Sequence, residues 1–188
     1  MPPSTRDRIV RVAHDLFYEQ GFHAVGIDRI AAGAGVTKTT LYNHFESKAD
    51  LVEEVLRWHD AWWRDHFRQM LIRHGGDTPR GQLLAIPDAL AETIADPGYN
   101  GCIFINVAVQ FPLRHDPAHA LAAEHKDRME AIYRELAGYA GASDAGLLAK
   151  ELSLLTEGAY VTIQVSGGDE TIEVLRTMVA TTIARHLG

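Results

Sequence analysis

Residues 30–51 read IAAGAGVTKTTLYNHFESKADL, and the order of small residues, hydroxyls and aromatics in this stretch decides the fold. Ala31 is small where two helices can cross closely, and Gly35, four residues later, can take the left-handed backbone that a tight turn needs. Val36 and Leu41 can pack beneath the turn, and Thr37 can cap the next helix. A helix ending at Gly35, a turn through Val36 and Thr37, and a short third helix containing Leu41, Tyr42 and Phe45 make a helix-turn-helix. In that geometry the third helix enters the major groove with its N-terminal residues leading.

The positions left exposed are Thr37, Lys38, Thr39, Thr40, Tyr42, Asn43 and His44. Hydroxyls and a helix N-terminus suit phosphates, Lys38 and Asn43 can donate to base edges, and threonine methyls can meet the thymine methyl. Lys48 opens the following helix, where it is placed to hold a phosphate. The same pattern would also suit an ordinary three-helix corner with Tyr42 and Phe45 as core aromatics.

Helical periodicity continues in both directions. Upstream, Ser4 and Asp7 fit a capping box, and Ile9, Val12, Ala13, Leu16 and Phe17 form an apolar stripe that stops at Gly21. A second helix runs from near Gly26 or Asp28 to Ala34. Downstream, Ser47 and Asp50 cap a long fourth helix that Gly75 and Gly76 end. Further helices are expected near 80–95, in the apolar stretch CIFINVAVQF (102–111), near 117–138, near 144–166 and from about 170 to the end. The reading is all-α, about nine helices, with no strand signal. Leu148, Leu152, Leu155 and Ala159 share one face of the penultimate helix, and Ile172, Leu175, Val179 and Ile183 one face of the last.

The chain has 188 residues, 46% hydrophobic and 23% charged, which is ordinary for a folded protein. Its net charge of −7 argues against nucleic acid until its distribution is considered. Residues 1–50 hold six Lys/Arg and six Asp/Glu, so the acidity belongs to the remainder. No apolar run approaches a membrane span and the start MPPSTRDRIVR has no signal core, so a cytoplasmic protein is expected, without membrane association. The single cysteine, Cys102, follows Gly101 at a helix start, a place where a thiol can serve as a redox sensor but where an inert cysteine is commoner.

The segment resembles the N-terminal region of the tetracycline-repressor-like (TetR) transcriptional regulators. Ile30, Ala31, Ala34, Gly35, Val36, Tyr42, His44, Phe45, Lys48 and Leu51 carry the match, which extends upstream through Phe17, Gly21 and Phe22. Two residues depart from the pattern: Gly26 replaces a common threonine that caps the second helix, leaving Asp28 as the candidate cap, and Thr39 replaces a small residue at the DNA face. The resemblance implies a DNA-binding head at 1–50 and a helical ligand-binding and dimerisation body at 51–188. It implies a homodimer through about 144–187 on a palindromic double-stranded DNA operator, read as a repressor released by a small-molecule effector.

A ligand pocket needs apolar walls and a few convergent polar groups. Trp62, Trp63, Phe67, Phe104, Phe111, Met129 and Tyr133 are candidate walls, with His59, Asn106, Gln110 and His125 as polar anchors. His115 and His119 are four apart, but Asp116 and Pro117 start a new helix between them, so no metal site is expected. Neither a hydrolase signature nor a glycine-rich phosphate loop occurs, so no enzyme and no cofactor are predicted. The competing reading is a small-molecule-binding protein or enzyme whose helical head does not bind DNA.

Overall fold

The computed structural model describes residues 3–188. Among them there are ten helices and no strand: α1 Thr5–Gln20, α2 Ile27–Gly33, α3 Lys38–Tyr42, α4 Lys48–Gly75, α5 Pro79–Leu84, α6 Ile86–Ile94, α7 Ile103–Gln110, α8 Pro117–Tyr139, α9 Ala145–Ser166 and α10 Asp169–Leu187. The extra helix comes from the segment read as one helix over 80–95. Pro87 has no N–H to donate back to Leu83 and its ring crowds that carbonyl, so the chain breaks at Ala85 and restarts with Pro87 in the first turn of α6. The described residues pack as two compact units, the first formed by the chain up to Trp62 with Cys102–His125, the second by Trp63–Gly101 with Lys126–Gly188.

In the first unit, the α1 capping box forms as the sequence suggests: Asp7 N–H donates to Ser4 Oγ at 3.1 Å, and Ser4 N–H to Asp7 Oδ2 at 3.2 Å. Ile9, Ala13, Phe17, Phe22, Val25, Ile30, Leu41, Phe45, Leu51 and Val55 are buried together with Ile103, Phe104 and Val107 of α7. Burying side chains of this size contributes about 1.5–3 kcal/mol each, so the short α2 and α3 are held by packing rather than by their own helix propensity. Gly33 lies where α1 and α2 cross, and a Cβ there would come 2.8 Å from Val12 Cγ1.

In the second unit, Phe67, Met70, Leu71, Leu83, Ile86, Leu90, Ile132, Tyr133, Leu152, Leu175, Val179 and Ile183 are buried. Tyr133 pairs its hydroxyl with Thr156, and burial pushes its pKa upward. The resemblance implies a dimer through about 144–187, but the apolar faces read from the sequence in that segment are turned inward. Leu148, Leu152, Ala159, Ile172, Leu175, Val179 and Ile183 are buried within a single chain. The stripe left outward is a different one, carrying Leu147, Leu154, Val161 and Val165 on α9 and Val174 and Met178 on α10. Both sides of α9 and α10 are apolar, so periodicity alone could not tell the inner side from the outer.

Candidate nucleic-acid interface

The turn between α2 and α3 is a Schellman motif built on Gly35, whose φ is +62°. Val36 N–H donates to the Ala31 carbonyl at 3.0 Å and Gly35 N–H to the Ala32 carbonyl at 3.1 Å. A further tie was not legible in the sequence: Arg8 Nε donates to the Ala34 carbonyl at 2.8 Å, so α1 caps the end of α2. Arg6 adds a second brace, pairing with Glu54 at 2.7 Å while its guanidinium lies 5.0 Å from the centroid of the Phe45 ring.

Thr37 caps α3, accepting from Thr40 N–H at 3.0 Å, and the two hydroxyls lie 2.8 Å apart. The helix formally ends at Tyr42, but Phe45 N–H still reaches the Leu41 carbonyl at 3.1 Å, which turns the Phe45 ring into the core. The remaining side chains point outward: Thr37, Lys38, Thr39, Tyr42, Asn43 and His44 are exposed and Thr40 is half-buried. The corner reading made Tyr42 a core aromatic; its ring is 45% exposed, whereas Phe45 is 1% exposed.

Two charged residues have partners within the protein. Lys38 pairs with Asp28 at 3.0 Å, and that contact raises its pKa. Asp28 therefore faces α3 and does not cap α2, which starts at Gly26 with no side-chain cap, correcting the expected role of Asp28. Lys48 lies 3.5 Å from the His23 carbonyl and 5.9 Å from the Phe17 ring centroid, and burial lowers its pKa. At the α4 start, Asp50 N–H donates to Ser47 Oγ at 3.1 Å, while the Asp50 carboxylate accepts from Glu46 N–H instead of completing the box on Ser47.

The residues predicted to line a pocket fall in both units. His59, Trp62, Phe104, Asn106, Gln110 and His125 belong to the first, and Trp63, Phe67, Met129 and Tyr133 to the second. In the first unit, the His125 ring stacks on Phe104 with centroids 3.7 Å apart, and His59 lies 5.7 Å from Phe104 and 5.4 Å from Trp62. The sequence reading missed Asp60, whose Oδ1 is 2.8 Å from His125 Nδ1 with both side chains buried. It also missed His14, whose Nε2 is 2.9 Å from His59 Nδ1. Burial, with His14 and His125 beside it, lowers the His59 pKa to about 3, so this imidazole is neutral at ordinary pH. In the second unit, Phe67 stacks with Trp63 at 6.3 Å and meets Tyr133 edge-on at 6.0 Å.

Gln110 has a different task from the one expected. Its Oε1 accepts from Phe22 N–H at 2.8 Å, and its carbonyl oxygen is 2.8 Å from His23 Nε2. The end of α7 is thereby fixed to the turn between α1 and α2, with the Phe111 ring 5.8 Å from Phe22 and 4.9 Å from His23.

Residues 9–55, which contain this head, match the family model for bacterial regulatory proteins of the tetR family. A TetR-family transcriptional regulator from Streptomyces coelicolor superposes with a TM-score of 0.85 at 28% identity, over 98% of this chain and 96% of that one. The head of this chain, residues 9–55, is of the TetR family.

The likeness to regulators of known name covers only part of the chain. The transcriptional repressor KstR2 of Mycolicibacterium smegmatis is 39% identical over 70 residues, which span 37% of this chain and 34% of that protein. The transcriptional activator FasR of the same organism is 44% identical over 54 residues, 29% of this chain and 25% of that protein. The match thus spans about a third or less of these curated relatives, and one is named a repressor while the other is named an activator. Among the described residues no helix is long and apolar enough to cross a membrane.

Proposed function

We propose that this chain is a ligand-responsive transcriptional regulator that binds double-stranded DNA through α3, acts in the cytoplasm, and works as a homodimeric repressor released by a small molecule. The observation that carries the reading is the outward face of α3. Lys38, Thr39, Tyr42, Asn43 and His44 are exposed on a helix whose inward residues, Leu41 and the following Phe45, are buried. Donors, hydroxyls and an aromatic are thereby presented on a rigid support, as base-edge and phosphate contacts require. Lys38 would exchange Asp28 for DNA, and Lys48 would leave the His23 carbonyl to reach a phosphate.

The division into a head at 1–50 and a body at 51–188 belongs to this proposal, as does a dimer through the outward stripe of Leu147, Leu154, Val161, Val165, Val174 and Met178. A groove of about 780 Å3 borders Leu154, Val174 and Met178 of that stripe, with Gly158 and Thr162 beside them, and an isologous contact with a second copy of the same helices would cover it. A dimer is needed because one head touches too few base pairs for selective binding, while a two-fold pair reads two half-sites. The effector would act through α4, which runs unbroken from Lys48 to Gly75. A ligand that prefers the head spacing unsuited to the operator weakens DNA binding by its differential affinity for the two states. No catalytic step enters this account.

Fluorescence anisotropy with DNA from the promoter beside the protein's own gene tests it. Tight binding that weakens steeply as salt rises is expected. Equal affinity for that DNA and for scrambled DNA at every salt concentration would overturn the reading.

A further inference from the structure

The second unit contains an open cleft of about 730 Å3 that none of the sequence-predicted pocket residues lines. It lies between the end of α6 with the turn that follows, and the last turns of α9 with the first turns of α10. A volume in this range is that of a small-molecule site. Two glycines shape it. Gly101 has φ +81° and a Cβ there would come 2.6 Å from the Gln164 amide carbon, while a Cβ on Gly168 would come 2.8 Å from Ile94 Cδ1. Each glycine lets backbone approach a wall residue that a side chain would push away.

The walls combine two chemistries. Ile94, Ile163 and Ile172 supply apolar surface, and Tyr99, Asn100 and Gln164 supply a phenol and two amides. An amide has two donors and an acceptor with two lone pairs, so one partner does not exhaust it. The charged rim is already matched: Arg176 pairs with Asp88 and lies 3.3 Å from Glu173. An acidic ligand would have to displace one of those carboxylates, and a cationic ligand would meet the guanidinium.

We infer that this cleft binds small uncharged molecules that join an apolar ring or branched body to a hydroxyl, carbonyl or amide group, the body against the isoleucines and the polar end against Asn100 and Gln164. The inference goes beyond the regulator reading and does not depend on it, because occupancy is measured without DNA.

Ligand-observed NMR on the full chain tests it with phenol, benzamide and coumarin as neutral probes and benzoate and benzylamine as charged ones of similar size. The neutral probes are expected to bind at millimolar concentration, with intermolecular NOEs to the methyls of Ile94 and Ile172, and the charged ones about tenfold more weakly or worse. Ala95→Trp, at the exposed end of α6 on the cleft wall, should fill the space and abolish binding, while Gln164→Leu should weaken it about tenfold. Absence of those NOEs with every neutral probe, equal or tighter binding of the charged probes, or binding indifferent to Ala95→Trp would each overturn the inference. The NOE arm uses the unmodified protein and decides the matter by itself if the tryptophan variant does not fold.

Discussion

Replacing Gln110 with alanine removes one side-chain acceptor from the turn between α1 and α2. Phe22 N–H, which donates to Gln110 Oε1 at 2.8 Å in a partly buried place, loses its partner, at a cost of about 1–2 kcal/mol. For a chain of this length that lowers the unfolding midpoint by about 2–8 °C. Gly21→Ala acts at the same spot in two ways. Its φ of +84° lies where only glycine is comfortable, which costs about 1–3 kcal/mol, and its new Cβ would sit 3.1 Å from Gln110 Oε1, disturbing the hydrogen bond. The first cost persists when residue 110 is alanine, while the second vanishes. The double variant should therefore be less destabilised than the sum of the single ones by about 1 kcal/mol. Urea unfolding of the four proteins at one fixed protein concentration measures this coupling. If Gly21→Ala costs the same whether residue 110 is glutamine or alanine, the Gln110 side chain does not hold the turn and the tie between α7 and the head is wrong.

Lys38→Ala should reduce the slope of log affinity against log salt by about one, and Asp28→Asn should tighten DNA binding by freeing Lys38; unchanged slope and affinity in titrations over a salt series would remove Lys38 from the interface. Leu154→Glu with Val165→Glu, both on the outward stripe, should weaken self-association about a hundredfold or more by burying carboxylates, as sedimentation would report; a dimer indifferent to both changes lies elsewhere. His59 binds its proton less readily folded than unfolded, with a pKa of about 3 against an ordinary value of about 6.5. The unfolded chain thus takes up more protons as pH falls, so this contribution to stability is complete above about pH 6.5 and is lost toward pH 3, at up to about 1.4 kcal/mol per pH unit. The stability difference between the wild type and His59→Phe should shrink over that window, and a pH-independent difference would contradict a neutral His59.

The helix-turn-helix was legible because its determinants are local. A glycine at the end of α2 and a threonine one residue before a helix act within a few positions of one another, and Gly35 and Thr37 do what their types suggest, while Ala31 is buried. Contacts between distant residues were not legible. Asp60 and His125 are 65 positions apart, and Gln110 and Phe22 are 88 apart, so neither pairing leaves a periodic trace. Asp28 was read as a cap from its position near a helix start, but Lys38, ten residues on, offers it a charge partner that a backbone N–H does not. Pro87 was present in the sequence, yet apolar periodicity runs on through it, which hid the break between α5 and α6. On α9 and α10 the pattern was read correctly as apolar, while the choice of inner side depended on packing against other helices.

Selection of bound sequences from random double-stranded DNA by the full chain tests the central claim most directly. The account predicts one enriched motif with two inverted half-sites about one helical turn apart, lost when Tyr42 and Asn43 on the exposed face of α3 are both replaced by alanine. Recovery of no enriched sequence, or of the same motif by the doubly substituted chain, would contradict the account.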